Sequence, residues 1–191
     1  MASLKGSQTE KNVLAAFAGE SQARNRYTYA ASVARDEGLM QISEIFTETA
    51  DNEKEHAKVF FKHLEGGEVE ITAGYPAGVI GDTLANLKAA AAGEKAEWSS
   101  IYPTFAQTAK DEGFTAIYNS FSQIAEVESA HERRYNILVA RVEAGEVFKR
   151  ASAIQWKCRN CGRVMESAEA PKMCPACQHP QAYYEPFAEN Y

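Results

Sequence analysis

The chain repeats itself at an interval of 75 residues. Glu53-x-x-His56, in EKEHAK, recurs as Glu128-x-x-His131 in VESAHER. At the same interval ARDEG (34–38) recurs as AKDEG (109–113), and Tyr27 as Tyr102. AGE ending at Glu20 recurs as AGE ending at Glu94, an interval of 74, so one residue has been added between Glu94 and Tyr102. A spacing shared by several separated features marks an internal duplication. The repeated unit is helical. Glycines close its long polar–apolar segments at Gly38, Gly66, Gly67, Gly113 and Gly145, the expected stop signal. The pattern predicts helices near Ser7–Glu37, Met40–Glu65, Thr83–Glu112 and Phe114–Ala144. Tight links join the first to the second and the third to the fourth, so each pair is an antiparallel hairpin.

Between the hairpins, GGEVEITAGYPAGVIGD is long enough to cross a bundle, and a single crossover defines the ferritin-like topology. The fold expected is therefore mostly α: a ferritin-like four-helix bundle over residues 1–147. A small four-cysteine metal ribbon over 154–191 follows it, through the junction FKRASAIQ. Pro103 falls inside the third helix, where it removes a backbone donor, so a kink or bulge is expected within a turn of Tyr102. At 191 residues the chain has room for one substantial core and such an appendage. A net charge of −6 argues against nucleic acid and against an anionic membrane surface. MASLKGSQTEKNV lacks the apolar centre of a signal peptide and no run approaches a membrane span, which predicts a soluble, cytoplasmic protein.

Glu-x-x-His places both side chains on one helical face. Taken singly, each such glutamate is an ordinary solvated residue and each histidine an ordinary structural one. Taken together they are another matter. One Glu from each of two helices (Glu20, Glu94) with Glu-x-x-His from each of the others (Glu53/His56, Glu128/His131) is the di-metal carboxylate pattern of helical bundles. Glu97, three residues after Glu94, adds a fifth carboxylate on the same side. Five unpaired buried carboxylates would be prohibitively costly, whereas two divalent cations nearly neutralise them. Oxygen-rich sites with two histidines suit iron or manganese better than zinc, without excluding zinc.

All four cysteines lie in the tail, as Cys158-Arg-Asn-Cys161 and Cys174-Pro-Ala-Cys177. Two CxxC knuckles suit a single iron or a tetrahedral zinc, with disulfides a remote alternative.

The chain resembles the rubrerythrins over nearly its whole length, on GESQARNRY, EKEH, AGEKAEW, ESAH and CRNCG…CPAC. The resemblance implies a di-iron site that reduces hydrogen peroxide to water, with a rubredoxin-like Fe(Cys)4 centre delivering electrons. It makes Glu53 and Glu128 bridging ligands, Glu20 and Glu94 terminal ligands, and His131 a ligand of the second iron. The first iron would exchange Glu97 for His56 on reduction. Tyr27 and Tyr102 would donate hydrogen bonds to ligand carboxylates, a role that competes with plain aromatic packing. Gln178 departs from the family pattern, which commonly has glycine after the last cysteine. An external donor (rubredoxin or an NAD(P)H-dependent reductase) and a head-to-tail homodimer are further expectations. Iron storage, which needs no tail, and a zinc-ribbon adaptor, which needs no inward carboxylates, are the competing functions.

Overall fold

The computed structural model describes residues 3–190. Two helical hairpins form the bundle: α1 (Gln8–Asp36) with α2 (Met40–Phe61), then α3 (Thr83–Ala96) and α4 (Tyr102–Asp111) with α5 (Thr115–Glu143). Ser7 caps α1 by accepting from the Glu10 amide, and Asp82 caps α3 by accepting from the Ala85 amide. The two tight links are copies. Gly38 (φ 75°) and Gly113 (φ 84°) adopt the left-handed conformation, and the amides of Leu39 and Phe114 reach back to the carbonyls of Ala34 and Ala109, both at 2.8 Å.

Two boundaries differ from expectation. Helix α2 ends at Phe61 rather than near Glu65, because His63 and Leu64 tighten into i→i−3 turns. Glu65 instead accepts from the Leu4 amide (2.8 Å) and the Ser3 hydroxyl (2.7 Å), tying the N-terminal arm to this end of the bundle. The expected single third helix is broken by a π-helical turn, Glu97–Ile101, in which the Tyr102 amide bonds to the Glu97 carbonyl five residues back. This turn absorbs the residue added between Glu94 and Tyr102. A wider turn takes one more residue without rotating the next helix out of register. Pro103, with no amide to donate, sits at the start of α4, where its missing donor is harmless.

A polar layer splits the bundle core in two, and the halves mirror one another. On one side Tyr27, Phe46 and Tyr135 form an aromatic triad with ring centroids 5.3–6.1 Å apart. On the other, Tyr102, Phe121 and Phe60 form its counterpart at 4.8–5.8 Å. Each corresponding pair is 75 residues apart, and each buried ring contributes roughly 1.5–3 kcal/mol.

The tail is a three-stranded antiparallel sheet in the order β2-β1-β3: β1 (Lys149–Cys158), β2 (Val164–Glu169) and β3 (Tyr184–Pro186). The segment read as a junction belongs to this sheet. Phe148 accepts from the Ala170 amide and packs against the ribbon core of Trp156, Ala170 and Tyr184, so the ribbon begins ahead of residue 154. It touches the bundle where α1 meets α2: Gly38 faces Ala182, and Arg159 lies 3.9 Å from Glu44.

The two knuckles close alike, with the Gly162 amide on the Cys158 carbonyl and the Gln178 amide on the Cys174 carbonyl, both 2.8 Å. Gly162 (φ 78°) does this freely, whereas Gln178 (φ 59°) is a side chain held in the left-handed region. Replacing Gln178 with glycine is expected to stabilise the ribbon by about 1 kcal/mol. Urea unfolding followed at Trp156 in a Trp98→Phe background checks this, and an unchanged or lower midpoint refutes it.

Candidate metal centres

The polar layer is built by the duplicated ligands. Glu20, Glu53, His56 and Glu128 bring one ligand atom each within 4.8 Å of one another, and Glu53, Glu94, Glu128 and His131 do the same beside them. Glu53 and Glu128 belong to both groups, and each divides its two oxygens between the histidines. Glu53 places Oε2 2.8 Å from His56 Nδ1 and Oε1 3.3 Å from His131 Nδ1. Glu128 places Oε1 2.9 Å from His56 Nδ1 and Oε2 2.9 Å from His131 Nδ1. Glu20 stands 3.9 Å from His56, and Glu94 3.8 Å from His131. Two carboxylates thus reach both imidazoles and two stand at the ends, a donor set that could hold two cations.

The donors fit a pair of cations better than they fit each other. Glu20 Oε2, Glu94 Oε2, both Glu128 oxygens and His131 Nδ1 are buried without a hydrogen-bond partner, despite the short separations. Lone pairs this close that fail to form hydrogen bonds converge on a common centre. The tyrosines hold the terminal carboxylates crosswise between the repeats: Tyr27 Oη donates to Glu94 Oε1 (2.6 Å), and Tyr102 Oη donates to Glu20. Both rings also pack in the core, so the two expected roles coincide. Glu97 lies outside both ligand groups, half-buried on the π turn, while His56 lies inside.

Electrostatics in the metal-free cage show the same frustration. Burial, then Glu53, Glu128 and Glu97, push Glu20 well above the usual carboxylate range, against the pull of the Tyr102 hydrogen bond. Burial, supported by Glu53 and Glu128, lifts Glu94 to about 8. Burial, then Glu94, Glu128 and Glu53, raise Glu97 well above its ordinary value. At Glu53 burial acts upward too, but His131 and His56 outweigh it and hold the group at about 2. At the histidines burial acts downward and loses to the carboxylates. Glu128 and Glu53 bring His56 up to about 10, and with Glu94 they bring His131 up to about 12.

Sequence reasoning missed a clamp on the π turn, where Trp98 Nε1 donates to Glu132 Oε2 (2.6 Å) beside His131. Its signal was only a tryptophan one residue after Glu97. It also missed a cavity of about 400 Å³ next to the cage, lined by Tyr27, Glu97 and Tyr102. Gly19 and Gly93, visible in the repeated AGE, are on its wall.

In the ribbon, Cys158 and Cys177 sulfurs are 3.7 Å apart, as are those of Cys161 and Cys174. Four thiolates about 2.3 Å from a tetrahedral ion stand about 3.8 Å from one another, whereas a disulfide needs about 2.05 Å. Burial raises the Cys158 thiol against the amides of Cys161 and Asn160, which point at its sulfur. The amides of Cys177 and Ala176 point at Cys174 in the same way.

Residues 11–139 match the family model for rubrerythrin, and residues 156–185 match that for the rubrerythrin rubredoxin-like domain. The chain belongs to the rubrerythrin family. It is 62% identical to rubrerythrin of Porphyromonas gingivalis, covering 99% of this chain and 94% of that one. It is 54% identical to rubrerythrin of Nitratidesulfovibrio vulgaris over the full length of both. Among solved structures, mixed-valence nigerythrin superposes with a TM-score of 0.63 at 27% identity, covering 96% of this chain and 91% of that one. Symerythrin from Cyanophora paradoxa, at 21% identity and a TM-score of 0.64, covers 75% of this chain and 89% of its own and shares the fold. No helix among the described residues is long and apolar enough to cross a membrane.

The protonation pattern sets a pH dependence. Glu94, His56 and His131 all titrate higher in the fold than their ordinary values. Each therefore adds stability to the metal-free chain at low pH and loses it as pH rises through the folded value. Cations displace those protons, so the loaded chain escapes that loss. The gap in thermal midpoint between loaded and metal-free protein is expected to widen by several degrees between about pH 6 and 9. Parallel calorimetry measures it, and a gap that narrows with pH contradicts the assignment.

Proposed function

We propose that the chain is a cytoplasmic peroxidase that reduces hydrogen peroxide to water at the two-metal cage. It draws electrons through the four-cysteine centre and protects against oxidative damage. One observation carries this reading. His56 stands inside the ligand cluster while Glu97, within electrostatic reach of it, stands outside on the wall of a cavity. A cage for storage alone has no use for a surplus carboxylate at its entrance.

Two ferrous ions bound by these residues would supply two electrons, one each. Glu53 and Glu128 fix the spacing of the pair by reaching both histidines. Tyr27 and Tyr102 restrain Glu94 and Glu20, leaving Glu97 as the carboxylate with room to move. Cleaving the O–O bond to two waters takes two protons as well as two electrons. Glu97, kept protonated by burial and its acidic neighbours, gives one proton, and the other is taken up from bulk solvent through the cavity. Ionised, Glu97 could take the place of His56 in holding the cation, since a carboxylate suits a higher metal charge better than a neutral imidazole does.

The ribbon touches its own bundle at Glu44, and the 12 residues of α2 from there to His56 rise about 18 Å. Electron tunnelling falls steeply over such spans. We therefore place the transfer between chains, in a head-to-tail homodimer that presents each ribbon to the partner's cage, with a rubredoxin or an NAD(P)H-dependent reductase as outside donor.

Glu97→Ala is expected to lower peroxide turnover roughly a hundredfold while iron content per chain changes little. Stopped-flow kinetics with elemental analysis measures both, and iron falling in step with activity removes the switching role. Mixing Glu53→Ala with Cys158→Ser subunits tests the assembly. Mixed dimers regain donor-driven turnover if one intact cage faces one intact ribbon. They stay inactive if transfer runs within a chain.

A further inference from the structure

The cavity beside Glu97 is far larger than hydrogen peroxide requires. It measures about 400 Å³, whereas an apolar cavity of about 150 Å³ already accepts benzene. Its inner wall is Tyr27, Glu97 and Tyr102, the groups that hold or border the cage. The rest is mainly apolar or small, including Ala15, Ala23, Ile101 and Phe105, with Tyr75 and Pro76 of the crossover.

Two glycines keep it open. Gly19 and Gly93 occupy matching places in the duplication, each directly before a terminal carboxylate, and both line the cavity. Both sit within long helices, where glycine is the poorest former after proline. Neither is required by a turn or by close packing: a Cβ at either position meets nothing within 4 Å. Two helices thus carry a weak residue at the spots where a side chain would fill the approach to the cage.

We infer that this cavity binds the organic part of small hydroperoxides, so that the cage reduces alkyl and aryl hydroperoxides as well as hydrogen peroxide. The apolar group packs between the two glycines and Phe105, and the peroxide end meets Glu97. The O–O bond breaks and two O–H bonds form, giving one alcohol and one water. The step consumes two protons and two electrons, one electron from each ferrous ion of the loaded cage. This inference rests on the peroxidase reading above.

Cumene hydroperoxide tests it on the full, iron-loaded and reduced chain. One equivalent per cage should be consumed in a single turnover, with 2-phenyl-2-propanol recovered. Gly93→Leu, which strengthens the helix while filling the cavity, should lower the ratio of kcat/KM for cumene hydroperoxide to that for hydrogen peroxide by about tenfold or more. Ala15→Phe fills the cavity from α1 and carries the same test if Gly93→Leu does not fold. A readout free of turnover is the binding of 2-phenyl-2-propanol to the zinc-loaded chain by calorimetry, present in wild type and lost in the filled variant. Consumption of hydrogen peroxide but not of cumene hydroperoxide overturns this inference and leaves the peroxidase reading standing. Consumption of neither overturns both. An unchanged ratio in the filled variants shows that the cavity is not the binding site.

Discussion

Everything in this bundle answers to the burial of Glu20, Glu53, Glu94 and Glu128 around two imidazoles. Each buried charge costs several kcal/mol even after relaxation, against a net stability for a whole domain of about 5–15 kcal/mol. Such a cluster survives only if the charge is relieved, by protons on the carboxylates themselves, by protons on His56 and His131, or by cations. The carboxylates draw both histidines far up, and the histidines hold Glu53 far down. Hydrogen bonds alone do not satisfy the arrangement, since carboxylate oxygens and His131 Nδ1 stay without partners. The aromatic triads pack above and below this layer, and Tyr27 and Tyr102 tie each triad to one of its carboxylates.

The duplication explains the symmetric half of the design, and its departures cluster around one carboxylate. Glu20, Glu53, His56 and Tyr27 all have counterparts in the other repeat. Glu97 has none. Three residues after the repeated AGE, the first repeat has buried Ala23 where the second has Glu97. The π turn begins at Glu97 and holds the one added residue, with Trp98 pinned to Glu132 on α5. An inserted residue that kept both Glu94 and Tyr102 in register therefore changed the helix only between them, where a new carboxylate faces the cavity. A second departure, Tyr135 in place of the counterpart Phe60, puts a buried hydroxyl beside Thr49 in one triad.

The cluster of carboxylates and imidazoles was legible because residue type and spacing recur together, and duplication states each twice. Helix ends at Gly38 and Gly113 were legible because a left-handed stop demands a particular residue. The end of α2 was not, since Glu65 reads as an ordinary helical glutamate until Leu4 and Ser3 arrive from across the chain to bind it. The start of the ribbon was hidden similarly, by a strand whose first residues find their partners only around Glu169 and Ala170. A bulge near Pro103 was foreseeable, but proline is the lesser cause. The extra residue sets the π turn, and proline merely tolerates its place after it. The cavity was illegible because it is made of what side chains leave out.

The ribbon's attachment bears on how its metal is reached. The one ion pair that joins it to the bundle among the described residues is weak: Arg159 and Glu44 are 3.9 Å apart between partly exposed side chains, and such pairs contribute at most about 1 kcal/mol. Within the ribbon the first cysteine of each knuckle, Cys158 and Cys174, is buried, whereas Cys161 is exposed and Cys177 half-buried. The core of Trp156 and Tyr184 backs the buried pair, so the metal centre presents one thiolate edge outward and is insulated on the other. Cys161, the most exposed of the four, lies on that outward edge. The buried pair thus ties both knuckles to the ribbon's own core, and the outward pair is the part of the centre that solvent or another molecule can reach.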